Sequence, residues 1–375
     1  MRVPAALWLT LLLACLVPAG AARAGSGMAV GVDDDLIKWT SRPAPILTAA
    51  RMLRLDTMRV TLRWSRGQRF PNGRDHTELR RAVLASRYGI QIVLAVYGRA
   101  TDAPSTAVDR EDYCRYVDNV LLRYTEIRNV VVWNEVNSPA FWQPRGDASA
   151  AYEALLARCW DIVHSDFANV RLVTTTAANH DAGGFIRGVG AAYRTSGRTR
   201  PIFDAAGHNP YPLYQDEPVT ATHDEYIGEG DYGRLVSVLD DAFAGTYQRP
   251  TPIWYLEDGF QTAIDAARRG SYTGRESLAR LVTPAGQALQ IGSALRLAYC
   301  QPRVAAFFNF LLVDERSLSA WQSGLLWADW RKKPAFDAYR AAIDDVRRGA
   351  IACGSALGYS PERTPALSRL LDFAT

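Results

Sequence analysis

Beyond its first two dozen residues the sequence has no apolar run long enough to cross a bilayer as a helix. It has no C-x-x-C pair and no dense Cys/His cluster, which argues against a zinc site. It has no basic run or stripe. With 43 Lys+Arg against 39 Asp+Glu and a formal net charge of +4, charge gives no sign of a nucleic-acid partner. No internal repeat and no low-complexity linker divides it. The G-x-G-x-x-G turn of a dinucleotide-binding sheet is missing: "GVDDDL" follows the first β-rich run, while Gly183, Gly184, Gly188 and Gly190 come after the fifth and lack the spacing.

What is present begins with a leader. Arg2 supplies a small positive region, Ala5 to Val17 is apolar but short for a membrane span, and Ala22-Arg23-Ala24 offers an A-x-A cleavage site. We expect a signal peptide over residues 1–24, with cleavage after Ala21 as the second choice, and hence a secreted protein. The rival is a lipid anchor through Cys15 in "LLAC", which Leu13 and the continuing apolar sequence disfavour. Removing the leader leaves Cys114, Cys159, Cys300 and Cys353, an even number that suggests disulfides with three possible connectivities.

Residues 25–375 exceed the size at which one compact core stops growing, unless the fold is a barrel. Eight short β-rich runs recur: Met28 to Val32, Met58 to Trp64, Ile90 to Tyr97, Asn129 to Trp133, Val170 to Thr176, Phe203 to His208, Pro252 to Leu256 and Val304 to Leu312. Helical periodicity lies between them, at Leu79 to Ser86, Asp112 to Tyr124, Ala148 to Val163, Ala285 to Tyr299 and Ala335 to Val346. Several β runs are apolar throughout, as parallel strands covered on both sides are. Eight such units predict an α/β chain forming a single (β/α)8 TIM barrel with a short C-terminal tail. A doubly wound open sheet is the runner-up. In the barrel, Cys114–Cys159 would join neighbouring outer helices around the fourth strand, and Cys300–Cys353 would tie the seventh helix to the chain after the eighth.

Chemistry in such a barrel sits at the C-terminal strand ends. "NVVVWNEV" delivers Glu135 just past the fourth strand, and "PIWYLEDGF" ends the seventh in Glu257. Fourth and seventh strands lie across the ring from each other, so their ends can converge. Two carboxylates across a wet cleft is the arrangement of glycoside hydrolysis.

Here the sequence resembles the clan A glycoside hydrolases, the retaining barrels that include the cellulase-like family 5 and the xylosidase-like family 39. The resemblance spans nearly all of residues 25–375 in order. It implies Glu135 as acid/base, Glu257 as nucleophile, Asn134 as the partner of a sugar 2-hydroxyl and Arg59 as support for the nucleophile. "GHNPYP" supplies His208 and Tyr211 for the sixth strand, although Asn209 stands where a His is usual. Trp321 is the nearest match to the tryptophan that floors the reacting subsite, and "SGLLWADWRKKPAFDAY" resembles the closing stretch in which Lys-Pro opens the last helix. Trp64, Trp142, Trp254 and Trp321 stand at or near strand ends and are candidates to stack on sugar, whereas Trp39, Trp160 and Trp330 read as packing. Asp33, Asp34 and Asp35 read as a solvated loop rather than a calcium cluster. The chemistry implied is retaining hydrolysis of a β-linked glycoside without metal or organic cofactor. A carbohydrate is the expected partner, with no nucleic acid, no stable membrane association and a monomeric state. The rivals are a non-catalytic glycan-binding barrel and a transglycosylase using the same residues.

Overall fold

The computed structural model describes residues 27–276 and 280–354, so the expected leader, Cys15 and the tail lie outside the described residues. The eight strands are β1 (Ala29–Asp33), β2 (Thr57–Arg63), β3 (Gln91–Tyr97), β4 (Asn129–Val132), β5 (Arg171–Val173), β6 (Ala206–His208), β7 (Ile253–Asp258) and β8 (Val304–Phe310). They form one parallel sheet in the order β5-β4-β3-β2-β1-β8-β7-β6. The seam between β5 and β6 closes through parallel bridges Val173–Ala205 and Ala177–Asn209, and the Asn209 N–H donates to the Thr176 carbonyl at 2.8 Å. Gly207 belongs to this seam because a Cβ there would stand 2.0 Å from the Thr174 carbonyl oxygen. The chain is the α/β TIM barrel that the eight β-rich runs predict.

The helices outside it are α1 (Leu36–Trp39), α2 (Ala44–Leu53), α3 (Gly73–Ala82), α4 (Ala107–Arg123), α5 (Ala148–Asp166), α6 (Ala182–Thr195), α7 (Tyr232–Phe243), α8 (Pro284–Tyr299) and α9 (Pro334–Arg348). Asp147 caps α5 at the Ala150 N–H (2.6 Å), and Thr283 caps α8 just before Pro284. The helix expected from Leu79 starts at Gly73 instead. Asn72 and Asp75 form a reciprocal capping box there, ahead of the first apolar residue. Lys333-Pro334 opens α9 as the closing motif implies.

Side chains alternate along each strand, one set inside the barrel and one against the helices. Val93, Ala95, Val131, Val173, Leu256 and Phe308 fill the interior with their neighbours, and a second, larger core lies between sheet and helices. Both expected disulfides are present. Cys114–Cys159 joins α4 to α5, and Cys300–Cys353 ties the end of α8 to the chain past α9. No helix among the described residues is long and apolar enough to cross a membrane.

Candidate active site

Two local irregularities bring carboxylates to the barrel mouth. On β4, Val130 and Val132 face the helices and Val131 faces inward, so simple alternation would point Trp133 into the barrel. Instead Trp133 has φ of 72° and turns outward, against Trp64, Tyr113 and Trp142, with its indole N–H on the Phe141 carbonyl at 2.8 Å. Asn134 and Glu135 thereby reach the cavity. Glu135 itself has φ of 37°. Each such residue costs about 1–3 kcal/mol, an expense that concentrates at functional sites.

On β7, Trp254 and Leu256 face inward and Tyr255 outward, so alternation would put Glu257 outside. Tyr255 pairs with Phe307 of β8, but Asp258 pairs with Asn309, so β7 uses three residues where β8 uses two. This bulge re-aims the strand end and turns the Glu257 side chain into the mouth.

There Glu257 is fixed from two sides. One carboxylate oxygen accepts from Arg59 at 2.5 Å, and the other accepts from the Tyr211 hydroxyl at 3.1 Å. The same Arg59 nitrogen donates to Asp33 of β1, and its other terminal nitrogen donates to the Asn134 side-chain oxygen at 2.9 Å. Arg59 is almost wholly buried. Burial alone would lower its proton affinity, but the charges of Asp33 and Glu257 overcome that and keep it a cation. Asp33 is pushed well above the usual carboxylate range by burial, against the pull of Arg59.

Glu135 has a different environment. Its carboxylate accepts from the Asn209 amide at 2.9 Å and, among the described residues, has no cation in contact. Burial, then the charge of Glu257, raises its pKa from 4.5 to about 7, while the Asn209 hydrogen bond and the more distant Arg59 pull the other way. One site therefore holds two carboxylates whose environments differ, the arrangement that divides acid from base at neutral pH.

These groups line a cavity of about 700 Å³ together with Tyr97, Phe310 and Trp321. The structure thus brings Arg59, Asn134, Glu135, Tyr211, Glu257 and Trp321 to one place. The Trp321 ring lies 5.2 Å from that of Tyr211 and 5.1 Å from that of Phe310.

Four other candidates are corrected. His208 is buried away from the cavity with both ring nitrogens engaged, Nδ1 with the Thr176 hydroxyl and Nε2 with the Ile227 carbonyl, each at 2.8 Å. Burial lowers its pKa to about 4, so it is a neutral core residue. Trp64 and Trp142 are 1% and 3% exposed and pack in the outer core around Trp133, out of reach of a sugar. Trp254 packs inside the barrel beside Phe308. Conversely, Trp39 and Trp330, read as packing, line the cavity.

The run Asp33 to Asp35 is not a solvated loop either. Asp33 and Asp34 are buried, and one oxygen of Asp34 accepts the N–H groups of Leu312 and Val313. Among the described residues no group of three or more His, Cys, Asp or Glu side chains is placed to hold a metal ion. Sequence reasoning missed Asp33 and Asn209. Asp33 carried a usable signal, being one more carboxylate at a strand end. Asn209 was visible only as the residue standing where a histidine is usual.

The sequence matches no profile of a known protein family and no curated protein. Its barrel is similar to solved structures. A family 39 glycoside hydrolase from the gut symbiont Bacteroides cellulosilyticus WH2 superposes with a TM-score of 0.62 at 16% identity, over 86% of this chain and 64% of that one. A GH53 catalytic domain from Ignisphaera aggregans gives 0.61 at 15% identity, over 84% and 96%. A GH5_18 enzyme from Streptomyces cattleya, solved with Manβ1-4GlcNAc, gives 0.62 at 14% identity, over 85% and 81%. The chain spans just under two thirds of the Bacteroides enzyme. At these identities the likeness is one of fold: the barrel is of the kind found in clan A glycoside hydrolases.

Proposed function

We propose that the protein is a retaining β-glycosidase acting on a β-linked oligo- or polysaccharide by double displacement. The observation that carries this is the pair of carboxylates entering one cavity from β4 and β7 in unlike environments. Glu257, held by Arg59 and Tyr211, is the nucleophile. It attacks the anomeric carbon from the face opposite the leaving group, and the glycosidic C–O bond breaks as the glycosyl–enzyme ester forms. Glu135 is near its midpoint of protonation at neutral pH and gives its proton to the departing oxygen. It then takes a proton from the water that cleaves the ester, which restores both residues and returns a β-configured sugar.

Arg59 aims Glu257, and its hydrogen bond to the Asn134 side-chain oxygen fixes the Asn134 amide at the cavity wall, where its N–H₂ is a donor. That donor suits a sugar hydroxyl whose contact strengthens as positive charge develops on the ring. Trp321 supplies an apolar face beside the catalytic pair. The sequence pattern expected of a leader over residues 1–24, together with the two disulfides, supports a secreted protein, since such bridges persist in oxidising compartments. No cofactor enters this chemistry.

The test is the configuration of the first product. A panel of 4-nitrophenyl β-glycosides of glucose, mannose, xylose and galactose identifies a substrate, and proton NMR follows the anomeric signal during hydrolysis. The β-anomer should appear first and mutarotate slowly. An α-anomer appearing first would refute retention, and with it the role given to Glu257.

A further inference from the structure

Of the tryptophans at the cleft, two are displayed to water. Trp39 is 56% exposed and Trp330 is 42% exposed, yet both line the cavity that holds Glu135 and Glu257. Neither display serves folding, because an exposed indole gains little from burial. Both are nevertheless held in place.

Trp39 ends α1, and its carbonyl accepts from Arg81 at 3.2 Å. Its neighbour Lys38 is buried, ion-paired with Asp35 at 3.0 Å and hydrogen-bonded to the Thr61 hydroxyl at 2.7 Å, with its ammonium 5.2 Å from the Trp39 ring centre. Trp330 sits in a tight turn before α9. Its N–H donates to the Trp327 carbonyl at 2.8 Å, and the Trp327 N–H donates to the Arg331 carbonyl at 2.9 Å. Its φ is 69°, in the left-handed region that bulky residues avoid. A strained backbone carrying an exposed indole is a sign of use rather than of packing.

Position says which use. Trp39 follows β1 and Trp330 follows β8, neighbours in the sheet, whereas Glu135 follows β4 across the ring from β8. In the function proposed above, on which this inference rests, Glu135 stands beside the leaving oxygen. The β1/β8 side of the mouth therefore faces the non-reducing part of the substrate. The cavity of about 700 Å³ is in the range that takes a drug-sized molecule, larger than a single sugar ring.

We propose that Trp39 and Trp330 form a second sugar-binding platform on the glycone side of the cleft, so that the enzyme acts on chains with at least two sugar units before the cleaved bond. Each indole offers an apolar face to the C–H face of a ring beyond the one over Trp321. A short helix holds Trp39 and a preset turn holds Trp330, so little ordering is lost on binding.

The test uses 4-nitrophenyl β-glycosides whose glycone is one, two or three β-1,4-linked glucose, mannose or xylose units, so that the leaving group stays constant. For the full-length protein kcat/KM should rise with glycone length. Trp39→Ala and Trp330→Ala should each lose about tenfold on the three-unit glycone, mostly in KM, with a smaller loss on one unit. Trp39→Phe and Trp330→Phe should recover most of the loss. Equal losses at every length, or no rise with length in the unaltered protein, would overturn the platform while leaving the catalytic pair intact. Calorimetric titration of the free trisaccharides into Glu257→Ala reads the platform without chemistry. Binding that weakens when Trp330→Ala is added supports it even if the unaltered protein hydrolyses none of the series, a result that would instead remove the glycosidase function. A protein that neither binds nor hydrolyses the three series overturns the platform.

Discussion

Replacing Asn209 with alanine removes the one hydrogen bond that side chains among the described residues supply to the Glu135 carboxylate. The amide donates at 2.9 Å and favours the ionised form, against burial and the Glu257 charge, which together hold the pKa at about 7. A hydrogen bond to a charged group contributes about 1.5–3 kcal/mol, and one pKa unit corresponds to about 1.4 kcal/mol. Water entering the vacated space recovers part of that, which leaves an upward shift of about one unit. The alkaline limb of kcat/KM reports the acid of the free enzyme, so it should move from about pH 7 to about pH 8 in Asn209→Ala. Asn209→Asp, which sets a further carboxylate beside Glu135, should move it further still. The assay is kcat/KM against pH on the best aryl glycoside, with circular dichroism to verify folding. A variant that loses rate equally at every pH, with the limb unmoved, would refute the positioning role, because a merely loosened site has no reason to change a proton affinity.

Two further outcomes follow from the same electrostatics. Folded Glu135 holds its proton up to about pH 7, but the unfolded chain releases it near 4.5, so between those values the folded state binds more protons and stability falls as pH rises. Glu135→Gln removes that penalty: its unfolding free energy from urea titration should match the unaltered protein near pH 4.5 and exceed it above pH 7, by up to about 3 kcal/mol. No gain at pH 8 would contradict the buried, raised carboxyl. Arg59→Met leaves Asp33 and Glu257 buried without their cation, so it should cost about 3–5 kcal/mol in urea unfolding and nearly all activity. Adding Asp33→Asn should restore part of the stability and none of the activity, and additive losses in the double variant would argue against a shared ion cluster.

Much of the fold was legible because it rests on repetition. Eight β-rich runs at βα spacing leave few arrangements other than a closed parallel barrel, and the pairing of Cys114 with Cys159 and Cys300 with Cys353 follows once the helices are placed on it. Helix starts were less legible, because α3 begins at a polar capping box rather than at its apolar face. The strand-end glutamates were readable from order alone. How they reach the cavity was not. Alternation by itself would turn Trp133 inward and Glu257 outward, and only the left-handed residue on β4 and the bulge on β7 reverse this. The tryptophans went wrong for a related reason. Trp64 and Trp142 are near strand ends but on the helix side, whereas Trp39 ends a four-residue helix and Trp330 is carried on a turn, segments whose direction no periodicity encodes. His208 was drawn in by its place in "GHNPYP". One residue of phase puts Asn209 beside Glu135 and His208 behind the sheet.

The central claim is the division of labour between the two glutamates, and azide separates them most directly. On a dinitrophenyl β-glycoside the leaving group needs little acid, so Glu135→Ala should still form the glycosyl-enzyme and then stall for want of a base. Mass spectrometry should find the adduct on Glu257, and azide should restore turnover and yield a β-glycosyl azide. Glu257→Ala should form no adduct and give at most an α-azide. A β-azide from Glu257→Ala with Glu135→Ala inert would mean the roles are reversed, and full activity in both variants would mean the protein is not this kind of glycosidase.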